Sequence, residues 1–247
     1  MFHHHDLKGN DLPRGVVCLT YDDGPGPHTQ ELGHYLFSEQ IAATFFVMGS
    51  HAQKQLDTLE QLRNWGHIIG NHTYSHPGLV SLALAHGDVV GELKKTDSII
   101  RPYVISEALL FRAPYGNWRE KQPNSDEDRD ISLVADILNH SGQFVDYVGP
   151  INWDIVAEDW ECWRQGISEE ECARRYLAET ERVGGGIILM HDSSEDEFVR
   201  NHNQTMQMTK ILVPALKQQG YRFIRLDAVP QVRQAIRESL VASSIGA

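Results

Sequence analysis

Cysteine, basic residues and long apolar runs are all scarce in this chain of 247 residues. Its three cysteines, Cys18, Cys162 and Cys172, are too few and too scattered for a disulfide framework or a cysteine-rich zinc cluster. Lys and Arg number 22 against 34 Asp and Glu, and the formal net charge of -12 argues against binding to nucleic acid or to an anionic membrane. No apolar stretch approaches the ~20 residues that span a bilayer. We therefore expect a soluble protein with no nucleic-acid and no membrane partner.

The chain also lacks the marks of a leader segment and of a domain boundary. Residues 1–6 have neither the charged start nor the apolar core of a signal peptide, so the chain as written is expected to be cytoplasmic, or exported if it is a mature fragment. No composition shift divides it, and we expect one domain over residues 1–247 and a monomer. His3, His4 and His5 are predicted to form a frayed tail with incidental metal affinity.

Apolar runs alternate with segments of helical periodicity along the chain. Buried strands are predicted at residues 16–19, 42–48, 67–70, 109–112, 187–190 and 221–224, with one or two more between 144 and 153. Helices are predicted at residues 27–40, 52–65, 82–103, 131–139, 168–183, 204–219 and 229–241. This alternation indicates a parallel sheet covered by helices, either a barrel or an open doubly wound sheet. The sequence contains no phosphate loop and no dinucleotide-binding glycine motif, which disfavours a nucleotide enzyme.

Two adjacent carboxylates, Asp22 and Asp23, follow the first predicted strand and precede Gly24. Neighbouring side chains on a regular strand point to opposite faces, so two acids share one pocket only where the strand ends and the backbone turns. We expect Gly24 to allow that turn, with one carboxylate binding a metal and the other transferring protons. A solvated Asp-Gly turn is the simpler interpretation of these residues taken alone.

His72 and His76 are four residues apart and follow the third predicted strand. Pro77 disfavours helix at His76, so a short turn is expected there. Two histidines and one Asp make a three-ligand site with room for water, the pattern of hydrolytic zinc enzymes. Either histidine alone would be interpreted as a polar surface residue.

Five short motifs occur in order along the chain: TYDDGP at residues 20–25, HTYSH at 72–76, RAPYG at 112–116, EDW at 158–160 and LMH at 189–191. This series resembles the motifs of the NodB-type polysaccharide deacetylases, carbohydrate esterase family 4, and it spans residues 16–192. The resemblance implies a distorted (β/α) barrel with seven or eight parallel strands. It also implies metal-dependent removal of N- or O-acetyl groups from an acetylated oligo- or polysaccharide.

The same resemblance assigns roles to single residues. It implies that Asp23, His72 and His76 hold one divalent metal ion and that Asp22 is the catalytic base. We expect the ion to be Zn²⁺, with Co²⁺ or Ni²⁺ as alternatives. The resemblance gives the backbone N-H of Tyr115 a place in the oxyanion hole, and it makes Trp160 and Leu189 walls of the pocket for the acetyl methyl group.

Three further residues acquire roles from the chemistry that a deacetylase needs. Arg112 follows an apolar strand, and its planar guanidinium can keep Asp22 ionised and aimed. His191 follows another buried strand and is predicted to be the general acid that protonates the leaving amine or alkoxide. Asp159 is predicted to raise the pKa of His191, because a nearby carboxylate favours the charged imidazole.

Other residues near the motifs have more than one interpretation or depart from the family pattern. Trp118, Trp153 and Trp163 are candidates for stacking on sugar rings, although core packing explains them equally well. Val156 stands where the family often has an Asp, three residues before Asp159. The loop at residues 117–130 is expected to border the active site and to influence substrate choice.

We expect hydrolysis of acetyl groups on N-acetylglucosamine units of chitin-like oligomers or peptidoglycan. Acetylxylan esterase is the nearest alternative. Two alternatives belong to other classes: a non-haem Fe(II) oxygenase with a two-His, one-carboxylate site, and an inactive sugar-binding module. Asp22, Arg112 and His191 have no evident use in the oxygenase. The inactive module is disfavoured because the base and every ligand are present.

Overall fold

Eight strands and eleven helices alternate in the computed structural model, which describes residues 1–245. The strands are β1 (Phe2–Leu7), β2 (Val16–Asp22), β3 (Thr44–Val47), β4 (Ile68–Asn71), β5 (Leu109–Leu110), β6 (Tyr147–Ile151), β7 (Gly186–His191) and β8 (Arg222–Phe223). The helices are α1 (Thr29–Ser38), α2 (Gly49–Ala52), α3 (Leu56–Asn64), α4 (Leu79–Leu84), α5 (Val89–Ile100), α6 (Leu133–His140), α7 (Asp159–Gln165), α8 (Glu169–Val183), α9 (Glu197–Asn201), α10 (Thr205–Gln218) and α11 (Pro230–Ile245). None of these helices combines the length and the apolar character that crossing a bilayer requires.

The strands close into a distorted barrel. β4, β3, β2 and β7 are neighbours in that order, and β6 lies between β1 and β5. A bridge between Asn71 and Phe111 joins β4 to the chain just after β5, and a bridge between Ile155 and Ile188 joins the segment after β6 to β7. β8 pairs with the start of β2. Every pairing between these strands is parallel. The parallel strands and the bridges between the two groups confirm the predicted (β/α) barrel.

The alternation of side chains along β2 decides which residues reach the interior of the barrel. Val17 and Leu19 pack in the large apolar core that the helices share with the strands. Cys18 belongs to a second apolar cluster, which α11 also joins. Asp22 lies four residues after Cys18 and so faces the same side of the strand. It is paired in register with His191 at the end of β7, which brings the two motifs together at one rim.

The N-terminal segment corrects a prediction, because the histidines at residues 3–5 belong to β1 and do not form a frayed tail. Phe2 anchors this strand: its side chain is 2% exposed, and its ring lies 5.4 to 5.9 Å from the rings of Phe111, Trp118, Phe144 and Tyr147. The backbone N-H of Phe2 donates to Asn139 Oδ1 at 3.0 Å, and Asn139 Nδ2 donates back to its carbonyl at 2.9 Å. The polar histidines suggested an exposed segment, whereas the neighbouring Phe2 is deeply buried.

Two predicted helices are each divided in the structure. Residues 52–65 contain the end of α2 and all of α3, and residues 82–103 contain the end of α4 and all of α5. α5 has its own start signal, since Asp88 accepts a hydrogen bond from the backbone N-H of Gly91 at 2.7 Å. The loop at residues 117–130 lies against β1, where Arg119 donates to the carbonyl of His4 at 3.0 Å.

Candidate active site

A pocket of about 520 Å³ opens at the carboxyl ends of β2, β4 and β7, the end at which barrel enzymes assemble their active sites. All five sequence motifs contribute to its lining, through Asp22, Asp23, His72, His76, Tyr115, Glu158, Trp160, Leu189 and His191. Arg112 and Asp159 are fully buried and contact Asp22 and His191. The structure therefore brings every predicted site residue together. Among the described lining residues none comes from the loop at 117–130, so its expected position beside the site is not found.

The two adjacent carboxylates enter this pocket because the chain turns at Asp23. Asp22 is the last residue of β2, and Asp23 has a left-handed backbone with φ of 71°. Asp tolerates this region better than most residues, so the turn does not need the glycine that we expected to supply it. Gly24 is required for another reason: a Cβ there would collide with the Asp192 carboxylate.

Asp192 is the buried carboxylate against which this turn packs. Thr29 donates to its Oδ2, while Oδ1 is buried without a hydrogen bond in the described structure. Burial raises the pKa of Asp192 to about 7, with Asp23 adding to the effect and the Thr29 hydrogen bond opposing it. This residue was not predicted to belong to the site.

Three ligand atoms converge on one point. Asp23 Oδ1 lies 3.4 Å from His72 Nε2 and 3.1 Å from His76 Nε2, and all three atoms lie within 4.8 Å of one another. Asp23 Oδ1 is buried without a well-formed hydrogen bond, which a cation at this point would remedy. Burial opposes ionisation of Asp23, but the neighbouring imidazoles outweigh it and the pKa of the carboxyl lies well below its usual range. The residues present therefore fit one divalent metal ion.

The two histidines lie on a short turn, as predicted. Thr73 and His76 both have left-handed backbones, with φ of 66° and 63°. The carboxylate of Glu92 accepts hydrogen bonds from the backbone N-H groups of Tyr74 and Ser75 at 3.0 and 2.8 Å. These contacts fix a conformation that no helix would provide.

Each histidine is held through its second ring nitrogen. His72 Nδ1 lies 2.8 Å from the carbonyl oxygen of Arg112, which can only accept, so Nδ1 carries the proton and Nε2 keeps the lone pair that a metal needs. His76 Nδ1 contacts the carboxylate of Glu195. Burial lowers the pKa of His76, but the opposite effect of Asp23 and Glu195 is larger, and the pKa is raised to about 10.

Glu195 was not predicted to belong to the site. It also accepts a hydrogen bond of 2.5 Å from the Tyr115 hydroxyl, and the Tyr115 ring lies 4.5 Å from the His76 ring. Glu195 lies in an acidic segment after β7, and its nearness to His191 in the sequence was the single local signal for it.

Arg112 and Asp22 form an ion pair inside the barrel. Arg112 is fully buried, and its Nη1 donates to Asp22 Oδ1 and to Thr20 Oγ1 at 2.8 Å each. The carbonyls of Ile151 and Asn152 accept from Nε and Nη2 at 3.1 and 3.3 Å. A guanidinium fixed on four sides holds the carboxylate in one orientation. Asp22 Oδ2 remains 3.7 Å from His72 Nε2, next to the ligand atoms.

Asp159 and His191 form a second buried pair. Asp159 accepts from the backbone N-H of His191 at 2.7 Å, and its Oδ1 lies 2.8 Å from His191 Nδ1. The hydroxyls of Tyr176 and Thr205 lie 3.2 and 3.0 Å from the same carboxylate. Burial lowers the pKa of His191, but Asp159 and the more distant Asp23 and Asp22 outweigh it and raise the pKa to about 9.

The apolar wall of the pocket combines Trp153, Val156, Trp160 and Leu189. Trp160 and Leu189 thus both line the pocket. Among the three tryptophans proposed for sugar stacking, Trp153 reaches the pocket, whereas Trp118 and Trp163 are each 1% exposed and belong to the core. Tyr115 lies at the rim with 63% of its surface exposed and a left-handed φ of 59°.

Comparison with known proteins gives one consistent result. A family model described as polysaccharide deacetylase matches residues 9–132. The chain is 30% identical over 213 residues to a chitooligosaccharide deacetylase of Sinorhizobium fredii, covering 83% of this chain and 87% of that one. It is 27% identical over 219 residues to a peptidoglycan-N-acetylglucosamine deacetylase of Bacillus cereus, covering 88% and 69%.

The solved structures agree with the sequence matches. The structure of the chitin deacetylase from Colletotrichum lindemuthianum superimposes with a TM-score of 0.65 at 27% identity, covering 87% of this chain and 86% of that one. A fold and a sequence family are therefore shared with these proteins.

Proposed function

The chain belongs to the polysaccharide deacetylase family, carbohydrate esterase family 4, and from that membership we propose that it removes acetyl groups from N-acetylglucosamine units of a chitin-like oligomer or of peptidoglycan. It is thus a hydrolase of carbon-nitrogen bonds other than peptide bonds. The observation that carries the proposal is the convergence of Asp23, His72 and His76 in one pocket with Asp22 and His191.

We infer that Asp23, His72 and His76 hold one divalent ion. Two imidazoles and a carboxylate suit Zn²⁺ best, with Co²⁺ and Ni²⁺ as alternatives that accept the same donors. When bound, such an ion polarises the acetyl carbonyl and makes a coordinated water more acidic. Glu195 and the Arg112 carbonyl support this role by holding the far sides of the two imidazoles.

Asp22 is the proposed general base. Its Oδ1 is occupied by Arg112, which leaves Oδ2 directed toward the ligand atoms and free to take a proton from the attacking water. Thr20 and two backbone carbonyls keep the guanidinium in place, so the base is oriented before substrate arrives.

His191 is the proposed general acid. Its Nδ1 is engaged by Asp159, so Nε2 is the nitrogen that can deliver a proton to the departing amine. A pKa of about 9 keeps the imidazolium populated at neutral pH. Asp159 is a positioning residue in this scheme, because it acts through His191.

The remaining walls account for selectivity toward a small acyl group. Trp160, Leu189 and Val156 offer an apolar surface that suits a methyl group. We propose the backbone N-H of Tyr115 as a donor to the oxyanion, a role that rests on the family resemblance. Trp153 is the tryptophan on which a sugar ring can stack.

The direct test is acetate release from chitooligosaccharides, peptidoglycan and acetylxylan, combined with metal analysis of the purified protein. Release from N-acetylglucosamine substrates is expected, and release from acetylxylan alone would establish the O-acetyl esterase instead. Failure to release acetate from any of the three would contradict the proposal. The Fe(II) oxygenase is disfavoured by the parallel barrel and by the Arg112–Asp22 pair. The expectations of a single domain, a monomer and no membrane or nucleic-acid partner stay predictions.

A further inference from the structure

A second cavity, of about 470 Å³, lies beside the reaction pocket on the other side of the turn that follows Asp23. Its lining includes Ser50, His51, Lys54 and Arg200. No carboxylate belongs to the described lining of this cavity. The described lining of the reaction pocket, in contrast, includes five carboxylate residues: Asp22, Asp23, Glu158, Glu195 and Asp196. The chain as a whole has a net charge of -12, whereas the charged side chains Lys54 and Arg200 around this cavity are positive.

Hydrogen bonds tie this cavity to the loops that carry the reaction pocket. His51 Nδ1 donates to the carbonyl of Asp23 at 2.7 Å. Arg200 Nη1 donates to the carbonyls of Ser194 and Glu195 at 2.8 and 3.3 Å. Because those residues also line the reaction pocket, the two cavities are adjacent and rigidly related. A glycan chain held in the reaction pocket can therefore extend into the second cavity.

Among the residues that the structure describes, no carboxylate forms an ion pair with the basic side chains Lys54 and Arg200 of this cavity. Within the part of the chain that the structure describes, Lys54 forms no ion pair, while Lys121, Lys210 and Lys217 each do. Arg200 donates to backbone carbonyls through Nη1 and forms no ion pair among the described residues, so its other N-H groups are available to a ligand. The Ser50 hydroxyl adds a neutral donor. One ammonium, one guanidinium and one hydroxyl around a cavity form a donor set for an anion.

We propose that this cavity is a subsite for a carboxylate carried on a sugar that neighbours the deacetylated unit. The proposal rests on the proposed function and narrows its substrate to glycans with acidic sugars. Lys54 and Arg200 supply the charge, and Ser50 completes the set of donors. The subsite adds binding energy to an acidic glycan without touching the reacting atoms.

The test uses two forms of one glycan. The first is an oligosaccharide of alternating N-acetylglucosamine and N-acetylmuramic acid with free lactyl carboxylates, and the second is the same compound with each carboxylate converted to a methyl amide. The wild-type enzyme should show a higher kcat/KM for acetate release from the free acid. Lys54→Gln should reduce that preference about threefold to tenfold, mainly through KM, and Lys54→Glu should reduce it further. The preference should also fall as ionic strength rises.

The matched control is Arg63→Gln. Lys54 lies just before the start of α3, and Arg63 lies near the end of this helix, roughly 10 Å from its start. Arg63 is exposed and forms no ion pair among the described residues. This variant loses the same charge and should keep the wild-type preference. Arg200 is unsuitable as the main test because its loss would also release the carbonyls of Ser194 and Glu195.

The outcomes separate the two proposals. Equal kcat/KM for the acid and the amide in the wild type, or a preference unchanged in Lys54→Glu, would overturn the subsite while leaving deacetylation intact. Absence of acetate release from both compounds and from chitooligosaccharides would overturn the proposed function itself.

Discussion

Two buried ion pairs flank the reaction pocket, and they share a geometry but differ in chemistry. Arg112 lies 2.8 Å from the carboxylate of Asp22, and His191 lies 2.8 Å from that of Asp159. In the first pair the guanidinium is held by Thr20 and two backbone carbonyls, and the free oxygen of the carboxylate faces the ligand atoms. In the second the carboxylate is enclosed by hydroxyls and the cation can lose its proton. The same contact therefore prepares a base on one side and an acid on the other.

Removal of a metal ligand is expected to have the largest effect, because the metal site lies between the two ion pairs. His76→Ala deletes one of three converging donors, and we expect bound metal and acetate release to fall together to background. Metal content by mass spectrometry and turnover on a chitooligosaccharide measure both effects. His140→Ala, at an exposed histidine on α6, is the control. A variant that keeps stoichiometric metal and full turnover would refute the ligand assignment.

Asp22→Asn should remove the proposed general base and leave the His191–Asp159 pair unchanged. The amide keeps the shape of the side chain but cannot accept the proton, so kcat should fall roughly 10²-fold or more while metal remains bound. Steady-state kinetics on metal-loaded protein test this. Near-normal kcat would exclude Asp22 as the base and leave the Arg112 pair with a structural role.

Asp159→Asn should lower the pKa of His191, the proposed general acid. Asp159 raises the pKa of His191, so imidazolium persists below about pH 9 and is lost as pH rises through that value. Without the carboxylate the pKa falls, and the alkaline limb of kcat should move to lower pH by one unit or more. His191→Ala should remove this limb and keep the metal. A limb that neither substitution moves would contradict the assignment of His191.

Glu195→Gln gives the smallest expected effect, because it perturbs the support of the metal ligand His76 without removing a reacting group. Loss of its charge beside His76 Nδ1 should weaken metal affinity about tenfold, the lower end of what such supporting carboxylates contribute. Competition with a chelator measures this independently of turnover. Glu197→Gln, two residues further on, should bind metal like the wild type, and equal affinities in both variants would remove Glu195 from the site.

The sequence predicted those parts of the fold that depend on local patterning. The apolar run of β2 marked a buried strand, and the position of Asp22 at its end placed a carboxylate at the rim. Element ends were less accurate, because the division between α2 and α3 depends on contacts with other parts of the fold. β1 was missed since the burial of Phe2 comes from distant aromatic residues such as Phe111.

The site shows the same division between local and distant information. The five motifs identified Asp23, His72 and His76, because family motifs record residue types at fixed spacing. Glu195 reaches His76 across more than a hundred residues of sequence, and no spacing rule connects them. The position of the left-handed residue at Asp23 rather than Gly24 was likewise decided by packing, since Asp192 occupies the space that a side chain at Gly24 would need.

The left-handed backbones at Asp23, Thr73, His76 and Tyr115 limit how far the thermal stability of this protein can be raised without loss of activity. A non-glycine residue in that region costs on the order of 1–3 kcal/mol, which the rest of the barrel must offset. Replacing Tyr115 by Gly would relieve one such cost and lose the ring beside His76. Substitutions chosen for heat resistance alone would therefore be drawn to the positions where activity is most easily lost. Engineering for durability belongs on the helices, away from the rim.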